Sequence, residues 1–265
     1  MASKINHVAI MSGNYALESK FYEAVFGMKT SPRSRPTRAV SIGDGYVGMN
    51  INPRRAGRPG RLDHFGIQVD DLPGAIAHIE KTYSTVEILK RPASRPFAAV
   101  TTHDPDGNVF DMTQAKGENL KDVYAHNDWQ AERFISHIGI RTLNPETCAA
   151  FYMDVFGLRP ANLPIEGAHG VTDGRVTIIL MPWDMMDYRG AGIVGPGMDY
   201  IGFKVEDIEK VKADIVAAGD ANPLLTPAPL GTGPEGEAFL ALFERSSLGT
   251  LHIADPDGVL LDIVA

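Results

Sequence analysis

Large apolar residues alternate with small or polar ones in four short stretches of this chain, and the stretches share one layout. They read Ile5-Asn6-His7-Val8-Ala9-Ile10, Leu62-Asp63-His64-Phe65-Gly66-Ile67, Ile135-Ser136-His137-Ile138-Gly139-Ile140 and Met198-Asp199-Tyr200-Ile201-Gly202-Phe203. A period of two predicts strands whose residues i and i+2 share a face. His7 then shares a face with Ala9, His64 with Gly66, His137 with Gly139 and Tyr200 with Gly202. The opposite faces carry Val8, Phe65, Ile138 and Ile201 and belong under a covering layer. A small neighbour beside each ring predicts an open polar cavity on the other side.

Between these strands the period changes. Leu17, Phe21, Tyr22, Val25 and Phe26, closed by Gly27, have helical spacing. Ala39–Ile42 and Tyr46–Ile51, separated by Gly43-Asp44-Gly45, predict a hairpin. The second stretch repeats the order with strand Leu62–Val69, helix Leu72–Thr82 and strands near Glu87–Leu89, Ala98–His103 and Val109–Thr113. Residues 114–134 break the pattern with a polar run. Phe21-Tyr22-Glu23-Ala24-Val25-Phe26-Gly27 then returns as Phe151-Tyr152-Met153-Asp154-Val155-Phe156-Gly157. Asp104-Pro105-Asp106-Gly107 likewise returns as Asp255-Pro256-Asp257-Gly258. Such recurrence marks copies of one unit. The expected fold is α+β, with four tandem strand-helix-three-strand (βαβββ) units paired into two curled mixed or antiparallel-sheet domains. Residues 1–115 form the first domain, 116–134 a linker and 135–265 the second. The Pro/Gly-rich Pro223–Ser247 is an insertion in the fourth unit, read as a lid or surface excursion whose apolar end docks.

Composition narrows the classes. No apolar run reaches the roughly 20 residues of a membrane span, and the first residues show no apolar leader. Cys148 is the only cysteine, so neither an intrachain disulfide nor a thiolate cluster can form. A soluble, reducing, cytoplasmic setting is expected. The formal charge is −8, with 9 Lys/Arg against 19 Asp/Glu in residues 131–265. An acidic chain whose loop arginines lack an aromatic stacking platform argues against nucleic-acid binding. Among those arginines, Arg91 and Arg95, each followed by proline, are the candidates for meeting an anionic substrate.

Taken together, the strand-borne His, the helix ending Phe-Tyr-x-x-Val-Phe-Gly and the Asp-Pro-Asp-Gly turn before Asp111 resemble the vicinal oxygen chelate superfamily. This superfamily includes glyoxalases, bleomycin-binding proteins and type I extradiol dioxygenases. The resemblance implies a divalent metal held by His7, His64 and Asp111, with His137 replacing His7 if units two and three pair instead of one and two. The connector between units one and two is short, which favours His7. Two imidazoles and a carboxylate suit Fe(II), with Mn(II), Zn(II) or Ni(II) as alternatives. Units three and four offer His137, Tyr200 and Asp262, one imidazole short. Four units look most like the two-domain ring-cleaving enzymes, which implies O2-dependent cleavage of a small dihydroxylated aromatic, anionic or neutral. His103 and His252 are the acid–base candidates, and Tyr200 a substrate contact. The alternatives are a glyoxalase-like lyase or isomerase and a metal-free binding protein. The expected partners are a small-molecule substrate, O2 and further copies of the chain.

Overall fold

A computed structural model describes residues 3–32, 39–57, 60–92, 98–116, 131–192 and 194–265. Most of the expected linker and Arg95 lie outside the described residues. The first unit comprises β1 (Ser3–Ser12), α1 (Tyr15–Phe26), β2 (Lys29–Thr30), β3 (Val40–Gly43) and β4 (Gly48–Pro53). The second comprises β5 (Arg61–Val69), α2 (Leu72–Thr82), β6 (Leu89–Lys90), β7 (Val100–His103) and β8 (Val109–Gln114). The third repeats the first with β9 (Phe134–Thr142), α3 (Pro145–Phe156), β10 (Arg159–Ala161), β11 (His169–Thr172) and β12 (Thr177–Pro182).

The fourth unit departs from the pattern. After β13 (Gly197–Lys204) and α4 (Ile208–Ala221) it forms a further helix, α5 (Gly233–Arg245), and only two strands, β14 (Leu251–Ala254) and β15 (Leu260–Val264). The Pro/Gly-rich insertion is thus partly helical, where a loop was expected. Pro234 in its first turn suits helix initiation, because the missing N–H has no partner there anyway.

Units one and two share an eight-stranded sheet in the order β2-β3-β4-β1-β5-β8-β7-β6, and units three and four a seven-stranded one, β10-β11-β12-β9-β13-β15-β14. The central pairs β1/β5 and β9/β13 are antiparallel, while β1/β4, β5/β8, β9/β12 and β13/β15 are parallel. Among the described residues no helix is long and apolar enough to cross a membrane.

Helices from each half lie against the other half. α1 packs on α4, and α2 on α3. The Phe26 ring stacks on Phe203 with centroids 3.9 Å apart, and Phe110 meets Phe156 at 5.6 Å. One continuous buried cluster therefore serves both sheets. Two reciprocal tethers close the contact, since Asp44 accepts the Ile135 amide and Asp173 the Ile5 amide, each at 2.8 Å. Arg133 adds pairs to Glu206 and Asp214 just before β9.

Candidate metal centre

Pairing of β1 with β5 sets His7 opposite Gly66 and Ala9 opposite His64, while the β5/β8 pairing sets Gly66 opposite Asp111. His7, His64 and Asp111 therefore meet on one face. His7 Nε2 lies 3.9 Å and His64 Nε2 3.2 Å from Asp111 Oδ2. The three groups offer ligand atoms within 4.8 Å of one another, the spacing of a group that could hold one ion. Gly66 makes this possible, because a Cβ there would stand 1.9 Å from the His7 ring. The open cavity expected beside each glycine is corrected accordingly. The space is taken by a ring from the neighbouring strand, His7 over Gly66, Tyr200 over Gly139 and His137 over Gly202.

A second set of residues, not singled out in the sequence, orients the imidazoles. The strand registers skip Asn6, Asp63, Ser136 and Asp199, so each is the extra residue of a β-bulge. A bulge interrupts the alternation and re-aims a side chain. His7 Nδ1 hydrogen-bonds Asn6 Oδ1 at 2.8 Å, and His64 Nδ1 bonds Asp63 Oδ2 at 2.7 Å. With Nδ1 held in this way, both Nε2 atoms are aimed at Asp111, and each would offer a lone pair to a cation that displaces any proton there. The clue in the sequence was the polar residue directly before every ring.

Burial and then the His64 charge push the His7 pKa down to about 3, so this imidazole is neutral at physiological pH. Burial also works against charge on His64, yet its hydrogen bonds to Asp111 and Asp63 prevail and raise its pKa to about 9. Asp111 is held below the usual carboxylate range: burial alone would raise it, but His64 outweighs burial. The protein without metal thus keeps a proton on His64 between two carboxylates, where a divalent cation would take its place.

Beyond Asp111, Thr101 on β7 donates to Asp111 Oδ1 and accepts from Arg91 Nε at 2.7 Å. Across the sheet, Asn50 and Asn52 lie in register with Ala9 and Met11, and Ser41 bonds Asn50 at 3.3 Å. The face around the three groups is therefore polar on both sides.

The equivalent face in the second half is closed. His137 Nε2 bonds Asp262 Oδ2 at 2.8 Å, and Asp262 also accepts the Leu248 and Gly249 amides. Tyr200, in the place of His64, donates its hydroxyl to the Ser246 carbonyl at 3.0 Å and packs on Phe243 of α5. Ile179 and Met181 stand where the first half has Asn50 and Asn52, and with Ile165 they form a small buried cluster around Tyr200. The other expected site residues are placed as follows. His137 belongs to the second sheet and not to the His64–Asp111 group. His252 bonds Ser247 and Asp262 in the second half. Both ring nitrogens of His103 are engaged by the backbone, with the Glu87 amide and the Asp104 carbonyl. A cavity of about 490 Å³ lies between the halves, lined by Arg61, Asp63, Met198 and Phe239 among others.

The donor set suits an octahedral divalent ion such as Fe(II) or Mn(II), with three positions left for other ligands. The family described as the Glyoxalase/Bleomycin resistance protein/Dioxygenase superfamily matches residues 4–112 and 134–263. A comparison with curated proteins finds no match. Among solved structures, the chain is similar to a mutant of 4-hydroxymandelate synthase from Streptomyces coelicolor, at 15% identity and TM-score 0.63, covering 99% of this chain and 92% of that one. It is also similar to a Mn(II)-bound glyoxalase from Novosphingobium aromaticivorans, at 16% identity and TM-score 0.62, covering 98% and 81%. A variant of homoprotocatechuate 2,3-dioxygenase from B. fuscum follows at 14% identity and TM-score 0.62, covering 98% and 70%.

Proposed function

Because the chain belongs to the glyoxalase/bleomycin resistance protein/dioxygenase superfamily, we propose that it is a metal-dependent enzyme with one centre, formed by His7, His64 and Asp111. The reaction we assign is O2-dependent, extradiol-type ring cleavage of a small dihydroxylated aromatic, with Fe(II) as the metal. The observation that carries this reading is the convergence of two Nδ1-anchored imidazoles and one carboxylate within 4.8 Å.

Held there by His7, His64 and Asp111, Fe(II) would supply Lewis-acid and one-electron redox chemistry at a centre with open positions. The protein's part is positional. Asn6 and Asp63 hold the two rings, and Thr101 holds the carboxylate. Asp63 also keeps negative charge beside His64, which makes that imidazole a stronger donor.

One observation favours a second reading. His103 and His252, the imidazoles expected to move protons, are both engaged elsewhere. A glyoxalase-like lyase or isomerase, acting with Mn(II), Zn(II) or Ni(II) and no O2, dispenses with a histidine proton relay for ring opening. Anaerobic loading with Fe(II), followed by an oxygen-electrode assay over a panel of catechols, separates the two. Stoichiometric O2 uptake with a new ring-opened chromophore is the expected result. Full metal occupancy with no O2 uptake on any catechol would overturn it in favour of the lyase.

A further inference from the structure

The half of the molecule that holds the triad also holds a guanidinium one side chain away from its carboxylate. Arg91 Nε donates to Thr101 Oγ1 at 2.7 Å, and the same Thr101 donates to Asp111 Oδ1. The Arg91 backbone is fixed as well, its amide bonding the Ala99 carbonyl at 2.9 Å as the β6–β7 ladder ends. Thr101 and Asp111 are direct partners in the β7/β8 register, so this geometry is built into the sheet.

Only one of the five N–H donors of the guanidinium is used by Thr101, and the Nη atoms make no hydrogen bond to a described residue. The side chain is half-buried, which keeps it reachable and weakens screening of its charge. The closed half has no such extension. There the position of Thr101 is taken by His252, which bonds Ser247 and Asp262, and among the described residues no strand corresponds to β6. His252 on Asp262 is thus the counterpart of Thr101 on Asp111, while the guanidinium beyond Thr101 has none among the described residues.

Resting on the reading of the triad as the reactive centre, we infer that Arg91 is the specificity-determining residue. It receives an anionic substituent, a carboxylate in the first instance, of a substrate whose vicinal oxygens face His7, His64 and Asp111. Thr101 is its positioning residue, setting the guanidinium at a fixed offset from the metal carboxylate. A planar, bidentate fork matches a carboxylate, whereas a lysine at this position would supply a point charge without the Thr101 anchor.

The test is equilibrium binding of 3,4-dihydroxybenzoate and of 4-methylcatechol to the Mn(II)-loaded full chain without O2, with metal content measured in parallel. The wild type should prefer the anionic ligand by about 10- to 100-fold, the range of a charge-assisted bond. Arg91→Gln should bring that ratio close to one at wild-type metal content, and Arg91→Lys should restore it only in part. Thr101→Val should lower the ratio and the metal affinity together, with Thr101→Ser recovering both. Equal binding of the two ligands by the wild type would overturn the inference while leaving the catechol reading intact. So would an Arg91→Gln variant that loses metal and weakens both ligands alike, since that is the behaviour of a brace. If neither catechol binds the Mn(II)-loaded wild type, the ring-cleavage reading falls and takes this inference with it.

Discussion

The Tyr22 hydroxyl donates to Asp255 Oδ2 at 2.7 Å across 233 positions of chain, both groups being buried between the two halves. Its counterpart is the Tyr152 hydroxyl on Asp104 Oδ2 at 3.0 Å. The Tyr of each Phe-Tyr-x-x-Val-Phe-Gly helix is thus held by the first Asp of the Asp-Pro-Asp-Gly turn in the opposite half. The second Asp joins in: Asp257 accepts the Gly13 amide, and Asp106 the Asn144 amide. Tyr22→Phe and Tyr152→Phe should each cost about 1–3 kcal/mol, because a buried carboxylate loses a donor. Thermal unfolding read by circular dichroism should shift for both while remaining a single transition. An unshifted transition in both variants would mean that the halves are not coupled through these pairs.

Stability should fall as the pH rises above neutral, and Glu18 should be a principal cause. It is buried beside Asp255; burial first, and the Asp255 charge second, raise its pKa to about 10. The folded chain therefore keeps a proton that the unfolded chain releases above the ordinary carboxylate pKa. Stability present at acid pH is lost across the window from about 4.5 to about 10, at up to about 1.4 kcal/mol per pH unit. His64 without metal, raised to about 9, adds a slope of the same sign from 6.5 upward, whereas Lys4, lowered to about 8, opposes it above that value. Urea titrations of wild type and Glu18→Gln at matched metal content isolate the Glu18 share. The variant should show the flatter profile between pH 6 and 9, and parallel profiles would refute the assignment.

Metal binding should depend on one half only. His7→Ala, His64→Ala and Asp111→Ala should each abolish stoichiometric Fe(II) or Mn(II) uptake with the circular-dichroism spectrum retained. His137→Ala should leave uptake intact, yet destabilise the chain by about 1–3 kcal/mol, because buried Asp262 loses one of its partners and keeps His252 and two backbone amides. Elemental analysis of protein purified without chelators decides between these outcomes. A His64→Ala variant with full occupancy would sink the proposed centre.

The orienting residues should matter nearly as much as the ligands. Asn6→Ala and Asp63→Ala are expected to weaken Mn(II) affinity about 10- to 100-fold. Gly66→Ala should do at least as much, since its Cβ would occupy the space of the His7 ring. Gly202→Ala, which collides with the His137 ring in the same way, should leave affinity unchanged. Calorimetric titration with Mn(II) distinguishes this pattern from a uniform loss through misfolding.

How much of this could be read from the residues alone follows from the physics of each feature. His7 and His64 were legible because period-two alternation assigns a face without knowledge of the partner strand. Asn6 and Asp63 were not, since that same alternation puts them on the opposite face and only the bulges bring them round. The two Asp-Pro-Asp-Gly segments read as turns, which they are, but the tyrosines they hold lie in the other half. Tyr200 marked the second half as short of a ligand. The apolar end of the insertion was legible as a docking segment; that it docks as helix α5, with Phe243 on Tyr200, was hidden, because Pro and Gly flank the helix and the pattern there suggests a loop. His103 draws attention because its strand position shares a face with Thr101 and Asp111; that nearby backbone engages both its ring nitrogens is a local contact the pattern does not reveal.

The packing of α1 onto the second half has a consequence for how the chain is made. Ribosomal synthesis proceeds at roughly 5–20 residues per second, so Asp255 and β15 follow α1 after roughly 10–50 s. During that interval Phe26 has no Phe203 to stack on, and Tyr22 and Glu18 have no carboxylate to meet. The first sheet can assemble early, and with it the ring-and-carboxylate face on β1, β5 and β8. Its helical side remains an adhesive surface until the last strand emerges. For that period the nascent chain depends on whatever shields apolar surface at the ribosome, and a second chain at the same stage offers the same complementary face.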